Sequence, residues 1–172
     1  MSEQEGRKWT LDPVHSYIEF TFHLNGENPR KVLFRKVAAS LMMEEKFEES
    51  KFVVQWAIDS VDSGDKAFDK FIYSEDFLNV HKIPAIKFTS EKISKLSVTQ
   101  YGIRGNLTFG DTKEELSFNG KFEGKVVHNS NGMERTGFYL ATWAEPHIFH
   151  LQERTIKFDK SIYIEIDLEF VR

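Results

Sequence analysis

The side chains of His147 and His150, in the segment His147-Ile148-Phe149-His150, have a type and spacing that suit metal binding. Glu145 or Glu153 is a nearby carboxylate. An H-x-x-H pair needs a helix or a tight loop and at least one further ligand to hold a metal ion. Two histidines in a loop are more often ordinary surface residues. The sequence therefore predicts no metal site.

A second polar group, Asp12, His15 and Ser16, precedes the first long strand-like run. Such side chains could hydrogen-bond the polar head of a ligand. They are equally suited to a turn, in which Asp12 or Ser16 caps backbone groups ahead of the strand. We favour the turn and keep His15 and Ser16 as candidate head-group contacts.

Signals for catalysis are missing from the sequence. It shows no nucleophile with its base, no glycine-rich phosphate loop and no paired-carboxylate motif. The chain has no cysteine, which excludes disulfides, iron–sulfur clusters and thiolate zinc sites. We expect a protein that is not an enzyme and needs no cofactor.

Charge and hydropathy narrow the class of partner. The net charge is -4 with scattered basic residues, so attraction to nucleic acid or to an anionic membrane surface has no basis. No apolar run approaches the roughly 20 residues that cross a bilayer. Residues 1–8 are polar and unlike a leader, so we expect a disordered tail there, a single domain over 9–172 and a cytoplasmic protein, or a periplasmic one if a leader was removed.

Most of the chain alternates apolar and polar residues with a period of two, which is typical of half-buried β-strands. The alternation is clearest over 161–170, 17–24 and 52–59. Further strands are predicted at 33–43, 85–93, 101–109 and 116–126, with weaker candidates at 137–143 and 155–159. The total is about eight strands or more.

The period breaks between Ser60 and Pro84. Apolar residues at 67, 68, 71 and 72 fall on one face of a helix, with Ser63 or Asp65 as its N-cap. A helical turn opened by Ser74 follows, and Pro84 returns the chain to an extended form. Asp69, on this helix, is expected to be a helix-surface carboxylate or to make a structural hydrogen bond to a neighbouring loop.

The inward strand positions are unusually aromatic, since the chain has 16 Phe, 5 Tyr and 3 Trp. An antiparallel barrel of about eight strands either fills its interior with side chains or holds one small ligand. Periodicity alone leaves both interpretations open.

Four segments resemble a known family. Residues 9–20 (WTLDPVHSYIEF) are similar to its opening signature; residues 59–64 (DSVDSG), Asp69, 74–80 (SEDFLNV) and 83–90 (IPAIKFTS) follow its strand, helix and strand in order. Shorter likenesses lie at 101–109 and 162–169. The family is the YceI-like family, the lipocalin-like polyisoprenoid-binding proteins of bacteria. Residues 143–160 have no convincing counterpart in it.

The resemblance implies an extended antiparallel lipocalin-like barrel of about eight strands, with a short helix packed against it. Its tunnel would bind, carry or store a polyisoprenoid, an isoprenoid quinone or a fatty-acyl lipid without catalysis, and relatives are often homodimers. We expect this ligand-binding lining: Phe20, Phe22, Trp56, Ile58, Phe71, Phe77, Phe88, Leu107, Phe118, Ile164 and Ile166. Two alternatives stay open: a stress-related interaction protein with a filled barrel, and an enzyme acting on a hydrophobic substrate.

Overall fold

The computed structural model describes residues 8–124, 126–151 and 156–172. One helix, α1 (Lys66–Tyr73), accompanies twelve strands. The strands are β1 (Lys8–Leu11), β2 (Tyr17–Phe22), β3 (Arg30–Phe34), β4 (Val37–Met42), β5 (Lys51–Ala57), β6 (Val61–Asp62), β7 (Ala85–Lys95), β8 (Gln100–Phe109), β9 (Thr112–Lys121), β10 (Val127–His128), β11 (Glu134–Ala144) and β12 (Ile162–Val171).

The strands close into an antiparallel barrel, which confirms the predicted fold class. Pairing runs β11-β9-β8-β7-β5-β4-β1-β12, and β12 pairs back with β11 over its whole length, so eight strands form the ring. Closure removes the free edges at which an open sheet would recruit another chain. Inward side chains alternate with outward ones, so the inward apolar positions of the eight ring strands meet inside the barrel.

Two parts of the barrel wall are each built from a pair of short consecutive strands, β1 with β2 and β3 with β4, and not from one long strand. The predicted strand 33–43 was wrong as one element: it divides at Arg35 and Lys36 into β3 and β4. The Arg35 guanidinium pairs with Asp62 at 3.0 Å, and its backbone N–H donates to the Ser60 carbonyl at 3.1 Å. These bonds turn β3 toward β6, while β4 pairs with β1 and β5.

Strands β1 and β2 form the neighbouring broken wall, because both pair with β12. Leu11 lies opposite Phe170, and Tyr17 lies opposite Asp167. The turn at residues 12–16 separates them. Lys8, placed by the sequence in the disordered tail, already pairs with Met42, and residues 1–7 lie outside the described part.

Other strand boundaries also differ from the prediction: β2 ends at Phe22 and not at 24, and β5 ends at Ala57 and not at 59. Residues 156–159 form no strand, since only Phe158 makes a single bridge, to Leu24; residue 155 lies outside the described residues. Strand β9 ends at Lys121 and does not continue to 126, because the Phe122 N–H turns back to the Thr99 carbonyl at 2.9 Å.

Helix α1 forms where the alternation breaks. The Asp65 carboxylate accepts hydrogen bonds from the N–H groups of Ala67 and Phe68, so Asp65 is the N-cap and Ser63 is not. Asp69 accepts a hydrogen bond from the Ser63 N–H at 2.8 Å, the structural role expected of it. The predicted turn after Ser74 also forms, with the Phe77 N–H donating to the Ser74 carbonyl at 3.1 Å.

Candidate ligand-binding site

The eleven predicted lining residues come together inside the barrel or under the helix. Ten of them are at most 1 % exposed, and Phe71, on α1, is half-buried against the same core. Most of them reach this position as inward members of alternating strands. Ile58 lies in the 3₁₀ turn that follows β5, Phe71 lies on α1, and Phe77 lies in the turn after α1.

The end of the barrel next to α1, here called the helix end, is covered by aromatic rings. The ring centroid of Phe77 lies 5.3 Å from that of Phe22, on β2, and 5.3 Å from that of Phe71. Phe158 contacts Phe77 from the other side, at 6.3 Å. The helix and the turn after it therefore rest directly on the barrel interior.

Phe149 completes the helix end, and sequence reasoning missed it. It ends the short 3₁₀ turn Pro146–Phe149 between β11 and β12, and its ring lies 5.4 Å from Phe20 and 5.7 Å from Phe109. Ile148 and Leu151 are buried beside it. The sequence signal for this burial was the cluster of apolar residues Ile148, Phe149 and Leu151. The flanking histidines drew attention to metal binding instead.

One histidine of this segment, His150, makes a structural side-chain contact. The His150 imidazole Nε2 is hydrogen-bonded to the Thr112 hydroxyl, which ties the turn to the β8–β9 hairpin. Glu145, the nearby carboxylate, accepts a hydrogen bond from the Ser161 hydroxyl at 2.6 Å. Glu153 lies outside the described residues.

At the opposite end of the barrel, Phe47 closes the interior. The residues around it are acidic, a pattern typical of a solvated hairpin tip, yet Phe47 is 4 % exposed. Its ring stacks on Phe122 at 4.2 Å and meets Tyr101 at 5.0 Å. Both ends are thus covered by short irregular segments, whereas the walls are built of paired strands.

The interior offers little polar chemistry. In the described part of the chain, the buried polar side chains are hydroxyls: Ser16, Thr21, Ser50, Ser60, Ser90 and Thr136. Several of these hydroxyls are hydrogen-bonded to backbone groups. The Ser90 hydroxyl, for example, accepts a hydrogen bond from the Phe52 N–H at 3.0 Å. The indole N–H of Trp56 is different, because it is buried with no hydrogen-bond partner in this part.

The candidate head-group residues lie on the outer face of the barrel. The Ser16 hydroxyl donates to the Asp12 carbonyl at 2.8 Å and accepts the Glu169 N–H at 2.9 Å. Asp12 accepts the Val14 N–H at 3.1 Å, and His15 Nδ1 lies 2.7 Å from its carboxylate. This is the turn that the sequence favoured.

Arg135 joins this turn to the barrel wall. Its guanidinium contacts Asp12, and lies 3.1 Å from Glu169 and 3.2 Å from His15 Nδ1. Hydrogen bonds from His15 and Arg135 hold the pKa of Asp12 well below its usual range. Asp12, His15 and Glu169 are close enough to share a cation, but the guanidinium already supplies the positive charge among them.

Two clefts flank this outer network. One, of about 420 Å³, lies between the 13–16 turn and residues 33–35, where the broken strands diverge. The other, of about 430 Å³, lies on the outside of β11 and β12 and includes Arg135 and Tyr139. Burial, and then a hydrogen bond to Glu165, raise the pKa of the Tyr139 phenol, which stays protonated.

The described helix is too short and too polar to cross a bilayer. Taken together, the closed eight-stranded barrel, the capping helix and the apolar interior define a lipocalin-like β-barrel.

Comparison with known families names the group to which this barrel belongs. The model of the YceI-like domain matches residues 9–170, and the chain therefore belongs to the YceI-like family. A UPF0312 protein of Azotobacter vinelandii is 28% identical over 159 residues, which are 92% of this chain and 82% of the relative. A UPF0312 protein of Shewanella baltica is 32% identical over 112 residues, 63% of this chain and 56% of the relative. The resemblance read from the sequence is confirmed.

Solved structures show the same fold. BcnA of Burkholderia cenocepacia superposes with a TM-score of 0.72 at 17% identity, covering 94% of this chain and 99% of its own. The YceI protein of Campylobacter jejuni gives 0.70 at 22% identity, covering 87% and 88%. A polyisoprenoid binding domain from Saccharophagus degradans implicated in plant cell wall breakdown gives 0.66 at 10% identity, covering 94% and 97%.

Proposed function

We propose that this protein binds a long apolar lipid inside the barrel and carries or stores it without chemical change. The ligand class is a polyisoprenoid, an isoprenoid quinone or a fatty-acyl chain. The observation that carries the proposal is a closed barrel whose buried inward side chains, in the described part of the chain, are apolar and rich in aromatic rings from one covered end to the other. Each Å² of apolar ligand surface buried there contributes about 25 cal/mol to binding.

The structural relatives support the same ligand class. One of them is a polyisoprenoid binding domain, and its fold matches this chain with a TM-score of 0.66. That likeness concerns the fold, so the lining residues of this chain must provide their own evidence. The eleven lining residues given above are the set we propose.

Interior side chains fill the space that a bound lipid chain would need. Phe88 and Phe118 meet at 4.8 Å between ring centroids, and Phe20 and Phe34 meet at 4.9 Å. The ligand would enter as a covered end opens and these rings rotate, exchanging ring contacts for ligand contacts. The covers suit this role because they are short turns and a helix, which open at lower cost than paired strands.

Catalysis has no support from the interior. Among the described residues, those buried there include no carboxylate, imidazole or amine that would act as an acid or a base. Binding therefore explains the interior better than chemistry on a hydrophobic substrate does.

The second candidate is an interaction protein whose barrel is simply filled. The close contacts between interior rings favour it, because such contacts are also what a permanent core would show. In that case function would lie on the outer surface or in a homodimer. We propose the homodimer for either case, and light scattering of the purified protein measures it.

Native mass spectrometry of the gently purified protein tests the proposal, followed by organic extraction and lipid identification. A stoichiometric adduct with the mass of a polyprenyl, quinone or acyl lipid is the expected result. A mass equal to that of the chain alone, unchanged after incubation with such lipids, would reject lipid binding and favour the filled barrel.

A further inference from the structure

Among the described residues, the indole Nε1 of Trp56 is a hydrogen-bond donor that is buried in the barrel interior without an acceptor. Trp56 is an inward residue of β5 and is fully buried. Its neighbours are aromatic: the ring of Phe20 lies 6.1 Å away, edge to face, and that of Phe34 lies 6.5 Å away. No described side chain or carbonyl accepts its proton.

Such an arrangement is costly for a residue whose role is only to fill space. Buried tryptophans usually find an acceptor for their N–H, because leaving a polar group unpaired in an apolar medium destabilises the folded protein. Phenylalanine would occupy an aromatic site of this kind without that cost. An acceptor that arrives with the ligand removes the cost in the bound state.

We infer that Trp56 donates a hydrogen bond to an uncharged oxygen of the bound lipid. The inference rests on the proposed lipid binding and narrows its ligand class. It selects a chain that carries a ketone, quinone or similar carbonyl oxygen over a plain hydrocarbon of equal length.

The residues around Trp56 also indicate that the lipid oxygen is uncharged. Val37 and Ile86 lie opposite Trp56 on the neighbouring strands. The buried residues of the described chain include no lysine or arginine that would neutralise a phosphate or carboxylate. A charged head group would therefore remain unpaired beside Trp56, whereas a carbonyl needs only the single donor that the indole provides.

Nuclear magnetic resonance of the three indole N–H groups provides the direct measurement, since the chain has three tryptophans. The probes are farnesylacetone and the hydrocarbon in which a methylene replaces its ketone. We expect farnesylacetone to move the Trp56 resonance downfield, and the hydrocarbon to leave the proton without an acceptor. Trp9 lies under the Arg172 guanidinium, and Trp143 is half exposed on the outer face, so their resonances serve as internal controls.

The variant Trp56→Phe assigns the resonance and tests the energetic consequence. The wild type should bind the ketone about tenfold more tightly than the hydrocarbon, and the variant should bind both about equally. Trp143→Phe is the matched control and should keep the wild-type preference.

The outcomes separate this inference from the proposal on which it rests. Equal affinity of the wild type for both probes, with an unmoved Trp56 resonance, would overturn the hydrogen bond and leave lipid binding intact; the indole would then face an aromatic ring. Binding of neither probe by the folded wild type would overturn both.

Discussion

Phe149 and Phe20 meet with their ring centroids 5.4 Å apart, although Phe20 is an inward residue of β2 and Phe149 belongs to the connection between β11 and β12. The cover at the helix end is therefore in direct contact with the barrel interior. A lipid that enters at this end must move Phe149.

The variant Phe149→Ala should accordingly speed the exchange of bound lipid. Removing the ring takes away its contacts with Phe20 and Phe109 and costs about 3–5 kcal/mol of stability. Transfer of a fluorescent fatty acid to acceptor vesicles measures the exchange rate. Phe47→Ala is the matched control, because it removes a buried ring at the opposite end. Faster exchange in the Phe47 variant alone would place the entrance at the other end.

Replacing Phe118 or Phe22 with Asp should abolish lipid retention. Each side chain is at most 1 % exposed, so the new carboxylate would face the apolar interior. Phe→Leu at the same positions should keep the lipid, because it preserves the apolar surface. Extraction and mass spectrometry measure the lipid content, and circular dichroism verifies the fold. Wild-type lipid content in a folded Asp variant would contradict the proposed lining.

Gly105→Ala should destabilise the barrel by about 1–3 kcal/mol. A Cβ at Gly105 would overlap the Thr89 carbonyl oxygen and lie 2.7 Å from the Phe88 ring, where β7 bulges between Ser90 and Lys92. Gly102→Ala, on the same strand, is the control, because the nearest atom to its Cβ would be Leu96 at 3.9 Å. Urea unfolding gives the two free energies of unfolding. Equal values would show that the bulge adapts to the methyl group.

Asp12→Asn should lower stability near neutral pH and have less effect in acid. Hydrogen bonds from His15 and Arg135 lower the pKa of Asp12 in the folded protein, so its ionised form stabilises the fold above the ordinary carboxyl pKa of about 4. That contribution is lost progressively as the pH falls from this value toward the lower pKa of the folded state, where the wild-type carboxyl is protonated. Thermal unfolding from pH 7 down to acid measures the difference. A difference that is constant with pH would show that charge is not its cause, and Asp111→Asn, at a hairpin tip, controls for general charge effects.

Local sequence patterns predicted much of the fold. The alternation around Phe20, Trp56 and Ile164 determines which side chains face inward, because a strand points successive residues to opposite faces. The break after Ser60 and the capping carboxylate of Asp65 determine the helix. The resemblance at residues 9–20 and 59–90 gave the family.

What the sequence did not determine are the contacts between distant segments. The division at Arg35 depends on Asp62 and Ser60, so the run 33–43 looked like one strand. Phe47 lies among acidic residues, and Phe149 lies in a segment with a histidine at each end. The local sequence pattern therefore indicated that both side chains are exposed to solvent. Their burial follows from where the ends of the barrel close.

The sequence by itself determined most of the long strands, the helix, the apolar inward faces and the family, because these follow from periodicity and short motifs within single segments. The tertiary structure decided which turns cover the barrel, that Asp12 pairs with Arg135 outside it, and that the Trp56 indole has no acceptor within the described residues. The physical reason is that barrel closure and strand register bring together residues far apart in the chain, and no local pattern encodes which neighbours they will meet.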